Sequence, residues 1–140
     1  TGTLFRIVEE RDGTRSDQLI LEDNNRLDLD DLLLAVLVNE GTIGEAEAVV
    51  AALQDAGRAF VVGTDTFGEG SDYSFVELRD NSAMYLPTSR WYTPLGSWLG
   101  GEGIKPDLVV VSEPESEGFG GESQFNRAYE YLDGLLPPYR

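Results

Sequence analysis

The sequence contains no cysteine and no histidine, and Lys105 is its only lysine. Without cysteine there are no disulfides, no thiolate nucleophile and no thiolate metal ligands. The compartment stays open, because a cysteine-free chain suits either redox environment. Without histidine the commonest general base and the commonest transition-metal ligand are both missing, which disfavours a Ser-His-Asp hydrolase or a zinc enzyme. Long apolar runs are lacking too. The longest, Leu32 to Val38, falls far short of the roughly 20 residues a membrane-spanning helix needs, so no span is expected. The first residues, Thr1-Gly2-Thr3, carry no basic and apolar leader, so any signal peptide is expected to have been removed or to lie outside this sequence.

Basic residues are scarce as a class: 10 Lys and Arg stand against 26 Asp and Glu, for a formal charge of -16. Such a surface repels phosphate backbones and anionic lipids, so no nucleic-acid partner is expected. Acid-rich, lysine-poor composition fits a salt-adapted protein, in which salt screens self-repulsion, and it fits ordinary high solubility equally well. What is present is a 41% hydrophobic content, sufficient for a core. The 140 residues make one small domain, whole or part of a larger one.

Leu4 to Val8 alternates like a strand, Arg11-Asp12-Gly13-Thr14 turns the chain, and Gln18 to Leu21 returns as a hairpin partner. Glu22 to Asp31 reads as an acidic connection. Leu33 to Val38 is a continuous apolar run of the kind expected for a central parallel strand buried on both faces. Thr42 and Glu45 fit a capping box for a helix from about Ile43 to Ala56, with Gly57 as its stop. Ala59 to Val62 then closes a βαβ unit. Tyr73 to Leu78 and Ala83 to Thr88 form a second hairpin around Arg79-Asp80-Asn81-Ser82. Residues 92–103 read as loop, Leu108 to Val111 as a short buried strand, and Ser112 to Glu122 as an acidic loop. A last helix is expected to be capped by Ser123, to present Phe125, Ala128, Tyr129 and Leu132 on one face, and to end at Pro137-Pro138.

Three segments carry a resemblance. They are VLVNEGTIGEAEAVVAALQDAGRAFVVGTDTFGEGS, then SRWYTPLGSWLGGEGIKPDLVV, then QFNRAYEYL. In order and spacing they resemble the C-terminal processing (tail-specific) serine peptidases, whose pattern reads VLVNEGTASASE, then ALQD.GRA.LVG..TFGKG.VQ, then YYTPSGRSI.G.GI.PD. Nearly the whole chain is covered, which is far more specific than a short motif. The resemblance implies an α/β fold with the ClpP/crotonase-like core of that family: a mostly parallel sheet containing a βαβ unit, with β-hairpins at its edge. It also implies that the upstream sheet half and the peptide-binding PDZ module of such proteins are absent from this sequence.

By the same resemblance, the nucleophile position is Gly44, the general-base position is Glu69 and the residue orienting the base is Tyr73. The 25-residue interval between positions 44 and 69 equals that between the family's Ser and Lys, so all three functional residues are replaced without a shift of alignment. A serine at the first turn of a helix would attack beside free N–H groups able to hold an oxyanion, and a lysine would serve as base once burial made it neutral. Glycine has no attacking group. Glu45, Glu69 and Asp72 could in principle form an oxygen-ligand cation site, but Glu45 and Glu47 fit helix capping better and the acidic loop reads as solvated. Thr42, as the expected cap, is a poor nucleophile. Trp91, Tyr92 and Trp98 are candidate peptide-binding aromatics, or they pack under the loop.

These readings lead to a protease-like domain, catalytically inactive, that binds peptides, regulates or scaffolds. The alternative is an active serine endopeptidase whose working residues are mutated or supplied elsewhere. No cofactor or metal is expected. The partner is expected to be a peptide or protein, including a second chain carrying the missing half, and family habit points to an extracytoplasmic location in periplasm, cell envelope or secretion.

Overall fold

The computed structural model describes residues 4–21, 32–111 and 122–135. The acidic connections expected over 22–31 and 112–121, and the Pro137-Pro138 stop, lie outside them. Ten elements follow in chain order: β1 (Leu4–Glu10), β2 (Arg15–Leu21), β3 (Ala35–Val38), α1 (Glu45–Asp55), β4 (Phe60–Gly63), β5 (Tyr73–Glu77), β6 (Ala83–Pro87), β7 (Ser89–Tyr92), β8 (Leu108–Val109) and α2 (Glu122–Leu135).

The apolar segments on either side of α1 pair in parallel, Ala35 opposite Phe60 through Val38 opposite Gly63, and β8 adds to the other side of β4. The order is therefore β3-β4-β8. Among the described residues β4, not β3, is the central strand. This corrects the expectation for Leu33 to Val38: Leu33 and Leu34 precede the strand and are exposed, and Leu37 is exposed on it. A strand with a ladder on one side only is less enclosed than its apolar run suggests.

Helices cover both faces of this sheet, which is the α/β arrangement anticipated. Val38 and Val61 join Ala48, Val50 and Ala51 of α1 in the core. Phe60, whose side chain must point the opposite way from Val61, stacks on Tyr131 of α2 with ring centroids 3.6 Å apart. That stack sets the rotation of α2. Gln124 and Ala128 are buried, whereas Phe125 and Tyr129 are exposed, so the inward face differs from the expected Phe125/Ala128/Tyr129/Leu132 stripe. Gln124 reaches in to donate from Nε2 to the Val110 carbonyl at 3.0 Å. Ser123 lies inside the first turn rather than capping it.

The hairpin β1–β2 gains an unanticipated third strand, β7, and forms an antiparallel sheet of order β2-β1-β7. Ser89 and Trp91 of β7 are buried and Arg90 is exposed, the alternation of a half-buried strand. Trp91 and Val8 carry this sheet into the common core. The third sheet is the ribbon β5–β6, Tyr73 opposite Pro87 through Glu77 opposite Ala83, with all ten residues exposed. Among the described residues the parallel part of the fold is thus three strands, and the hairpins build antiparallel sheets of their own.

Candidate functional site

Parallel neighbours β3 and β4 end at the same side of their sheet, so the loops that follow them meet there, as ligand-binding loops do in open α/β sheets. After Val38 the chain turns through Asn39–Thr42, where Thr42 N–H donates to the Asn39 carbonyl at 2.9 Å and Gly41 N–H to Asn39 Oδ1 at 2.9 Å. Thr42 Oγ1 accepts from Asn39 N–H at 3.2 Å. It therefore braces the turn and is not the cap of α1, which begins at Glu45 with Gly44 as its N-cap.

Gly44 has φ 64 and ψ -124, a combination open to glycine and strained for residues with a Cβ. A sharp strained turn from strand to helix is how a nucleophile is presented in hydrolases that use an elbow. Gly44 makes a bend of that kind at the start of α1 and, being glycine, carries no side chain. A Cβ placed on Gly44 would lie 2.8 Å from Glu69 Oε2, so positions 44 and 69 face each other. The Glu69 carboxylate makes no hydrogen bond or ion pair with another described residue. Tyr73 does not orient it: it opens β5 on the exposed ribbon, with its ring stacked on Tyr85 at 4.7 Å.

The group that holds the two loops together is Glu47, at 0% relative exposure. Its Oε2 accepts from Gly44 N–H and Glu69 N–H, each at 3.0 Å; its Oε1 accepts from Gly68 N–H at 2.6 Å and from the Thr66 hydroxyl. Bonding of the third helical residue back to the cap N–H is half of a capping box, shifted two residues from the expected Thr42–Glu45 pair. Sequence reasoning placed Glu47 only among generic first-turn acids. Its place three residues after Gly44 was the available signal.

The glycine-bearing motifs act as further braces. Thr66 N–H donates to the Ile104 carbonyl at 3.2 Å, and Ile104 N–H donates to Thr66 Oγ1 at 2.8 Å. Gly103 fits because a Cβ there would lie 2.2 Å from the Thr66 carbonyl oxygen. Asp107 Oδ2 accepts from Val61 N–H at 2.8 Å, and its Oδ1 from Gln54 Nε2 at 3.0 Å. Thr66 and Ile104 therefore tie the loop after β4 to the segment before β8, and Asp107 ties that segment to β4 itself and to α1.

The other acids are separately engaged. Glu45 pairs with buried Arg6 at 2.7 Å, and Asp72 accepts from Ser89 Oγ at 2.5 Å and Trp91 Nε1 at 2.9 Å. Among the described residues no three His, Cys, Asp or Glu side chains group to hold a metal ion. Trp91 is only 4% exposed, with the Arg6 guanidinium 3.7 Å above its ring. Its polar tip and cation partner both lie inside, which removes it from any surface patch. Tyr92 is half-buried, with its hydroxyl 3.4 Å from Glu9 Oε1. Trp98, at 51% exposure, remains open to a ligand. Two apolar residues not singled out in the sequence, Ile43 and Phe67, are exposed beside Gly44 and Glu69, Phe67 at 59%. A groove of about 480 Å³ lined by Leu33, Phe60, Tyr131 and Leu135 lies where β3 and β4 begin; Gln54 and Asp107 also line it, whereas Gly44, Glu47 and Glu69 do not.

The chain is similar to several known C-terminal processing proteases. A carboxy-terminal-processing protease of Bartonella bacilliformis is 41% identical over 92 residues, covering 66% of this chain and 21% of that protein. A carboxyl-terminal-processing protease of Picosynechococcus is 44% identical over 86 residues, covering 61% and 21%. The solved photosystem II D1 C-terminal processing protease superposes with a TM-score of 0.67 at 30% identity, over 91% of this chain and 31% of that one. The chain spans about a fifth of the length of the curated relatives it matches. The sequence pattern of peptidase family S41 runs through residues 4–110, from β1 through β8, and with the two loops seated as described the chain belongs to that family.

Proposed function

We propose that this chain is part of an S41-type domain that has lost acyl-enzyme chemistry and binds peptide segments without cleaving them, in a regulatory or scaffolding role. One observation carries the reading. At the attacking position the elbow of α1 bears only hydrogen, and the residue facing it is a carboxylate in place of an amine. A hydroxyl is needed to form the acyl bond and a neutral amine to take its proton. A carboxylate at that place supplies neither, and it repels the negative charge that an oxyanion would develop. Loss of a nucleophile alone leaves little of a coupled catalytic set.

Exposed Ile43, Phe67 and Trp98 support binding, as does the ribbon whose Phe75 and Tyr85 lie on one face. Apolar exposure of this kind marks contact surfaces. The partner we propose is a peptide or protein, which includes a second polypeptide carrying further sheet strands, outside the cytoplasm as in the family generally. No helix among the described residues is long and apolar enough to cross a membrane.

A second reading, an active endopeptidase completed by residues elsewhere, draws on the retained elbow. The braces weaken it: Thr66, Gly103 and Asp107 have structural partners that account for the preserved motifs without catalysis. The test compares wild type with a Gly44→Ser, Glu69→Lys, Tyr73→Gln variant on a casein-type substrate. Cleavage by the variant alone supports the proposal, and cleavage by the wild type overturns it.

A further inference from the structure

We infer that Glu47 is the positioning residue of this site, fixing the backbone of position 44 against the loop that carries position 69. The inference about geometry stands by itself; its consequence for peptide affinity rests on the binding function proposed above. The carboxylate is fully buried and receives four donors, three of them backbone N–H groups, from Gly44, Gly68 and Glu69. No cationic side chain among the described residues pairs with it; the ion pairs formed there involve Glu9, Glu45, Glu102 and Glu130. A buried charge without a counter-ion is costly, and here it is compensated by aimed N–H dipoles and the start of α1.

The consequence is specific to charge. A carboxylate is acceptor-only on both oxygens, whereas an amide presents an NH2 on one side. In Glu47→Gln, an NH2 at the Oε2 place faces the N–H groups of Gly44 and Glu69. At the Oε1 place it faces Gly68 N–H and forces the Thr66 hydroxyl, already accepting from Ile104, to find another acceptor. The first orientation leaves Gly44 and Glu69 N–H without their acceptor, and the second leaves Gly68 N–H without its own. Glu47→Asp keeps the charge but shortens the reach by one methylene, so it is expected to retain part of the clasp.

Amide hydrogen exchange followed by NMR reads this directly. In the wild type the amides of Gly44, Gly68 and Glu69 are expected to be protected. In Glu47→Gln the amides left without an acceptor, Gly44 and Glu69 in one orientation or Gly68 in the other, are expected to exchange faster by roughly tenfold or more, the factor for losing one charge-assisted hydrogen bond, while Val61 and Val62 of β4 change little. Glu47→Asp falls between. A fluorescein-labelled unstructured peptide with an apolar C-terminus is titrated in parallel, and its affinity for Glu47→Gln is expected to drop by a similar factor. Freely exchanging amides at the three positions in the wild type overturn the inference without any variant, and so does an unchanged pattern in a folded Glu47→Gln protein. Site amides that respond in a protein with no peptide affinity sink the proposed binding function and leave the role of Glu47 standing.

Discussion

Placing a hydroxyl at position 44 is expected to be destabilising, and the structure sets the size of the effect. At Gly44 the backbone sits at φ 64 and ψ -124, a region that costs a residue with a Cβ about 1–3 kcal/mol. The new Cβ would also meet Glu69 Oε2 at 2.8 Å, but that atom is the end of a flexible side chain and can swing away. Backbone strain therefore dominates, and Gly44→Ser is predicted to lose about 2 kcal/mol. Gly57 is the control. It follows α1 at φ 61 with nothing within 4 Å of an added Cβ, and Gly57 and Arg58 N–H donate to the Gln54 and Leu53 carbonyls, each at 2.9 Å, in a Schellman motif. Gly57→Ser is expected to cost only about 1 kcal/mol. Urea unfolding followed by tryptophan fluorescence measures both, since Trp91 is buried. A Gly44→Ser protein as stable as wild type would show that the elbow is not held as described and would refute the strain argument.

Other perturbations separate bracing from chemistry. Asp107→Ala leaves Val61 N–H without its acceptor and frees Gln54; a loss of about 1–3 kcal/mol is expected in urea melts, and a neutral result would discount the brace. Asp80 has its pKa lowered from 3.8, first by the side-chain hydrogen bond from Ser82 and then by the Ser82 backbone N–H. Asp12 is lowered in the same direction, first by the Thr14 backbone N–H. Folded values below the unfolded ones mean that the stabilisation is fully present above the usual value of 3.8 and is lost as pH falls through the folded values. Carboxyl NMR titration is expected to place both midpoints below 3.8, and midpoints at or above it would contradict the turn geometry.

Much of the site was legible in the sequence because topology brings it together. Once Ala35–Val38 and Phe60–Gly63 are parallel neighbours, the loops bearing Gly44 and Glu69 must emerge at one end. The structure then shows the two positions face to face, with Glu69 Oε2 2.8 Å from a Cβ placed on Gly44. What escaped depended on packing. The face that α2 turns inward is set by the Phe60–Tyr131 stack, a tertiary contact that overrides the simple reading of Phe125 and Tyr129 as core. In isolation Trp91 reads equally as a binding aromatic or as one packed beneath the loop, and it is β7 that decides, by inserting it beneath Arg6. The ordinary first-turn acid Glu47 acquires its role only when the second loop delivers Thr66, Gly68 and Glu69 to it. Tyr73 shows the converse: the resemblance assigns its position to the base-orienting residue, yet its ring belongs to the ribbon and stacks on Tyr85.

The most direct measurement is intact-protein mass spectrometry after incubation with a serine-directed covalent inhibitor, beside the Gly44→Ser, Glu69→Lys, Tyr73→Gln variant. The account predicts an unmodified wild-type mass, with any adduct confined to the variant. A stoichiometric adduct on the wild type, mapped to one side chain, would show a working nucleophile and contradict it.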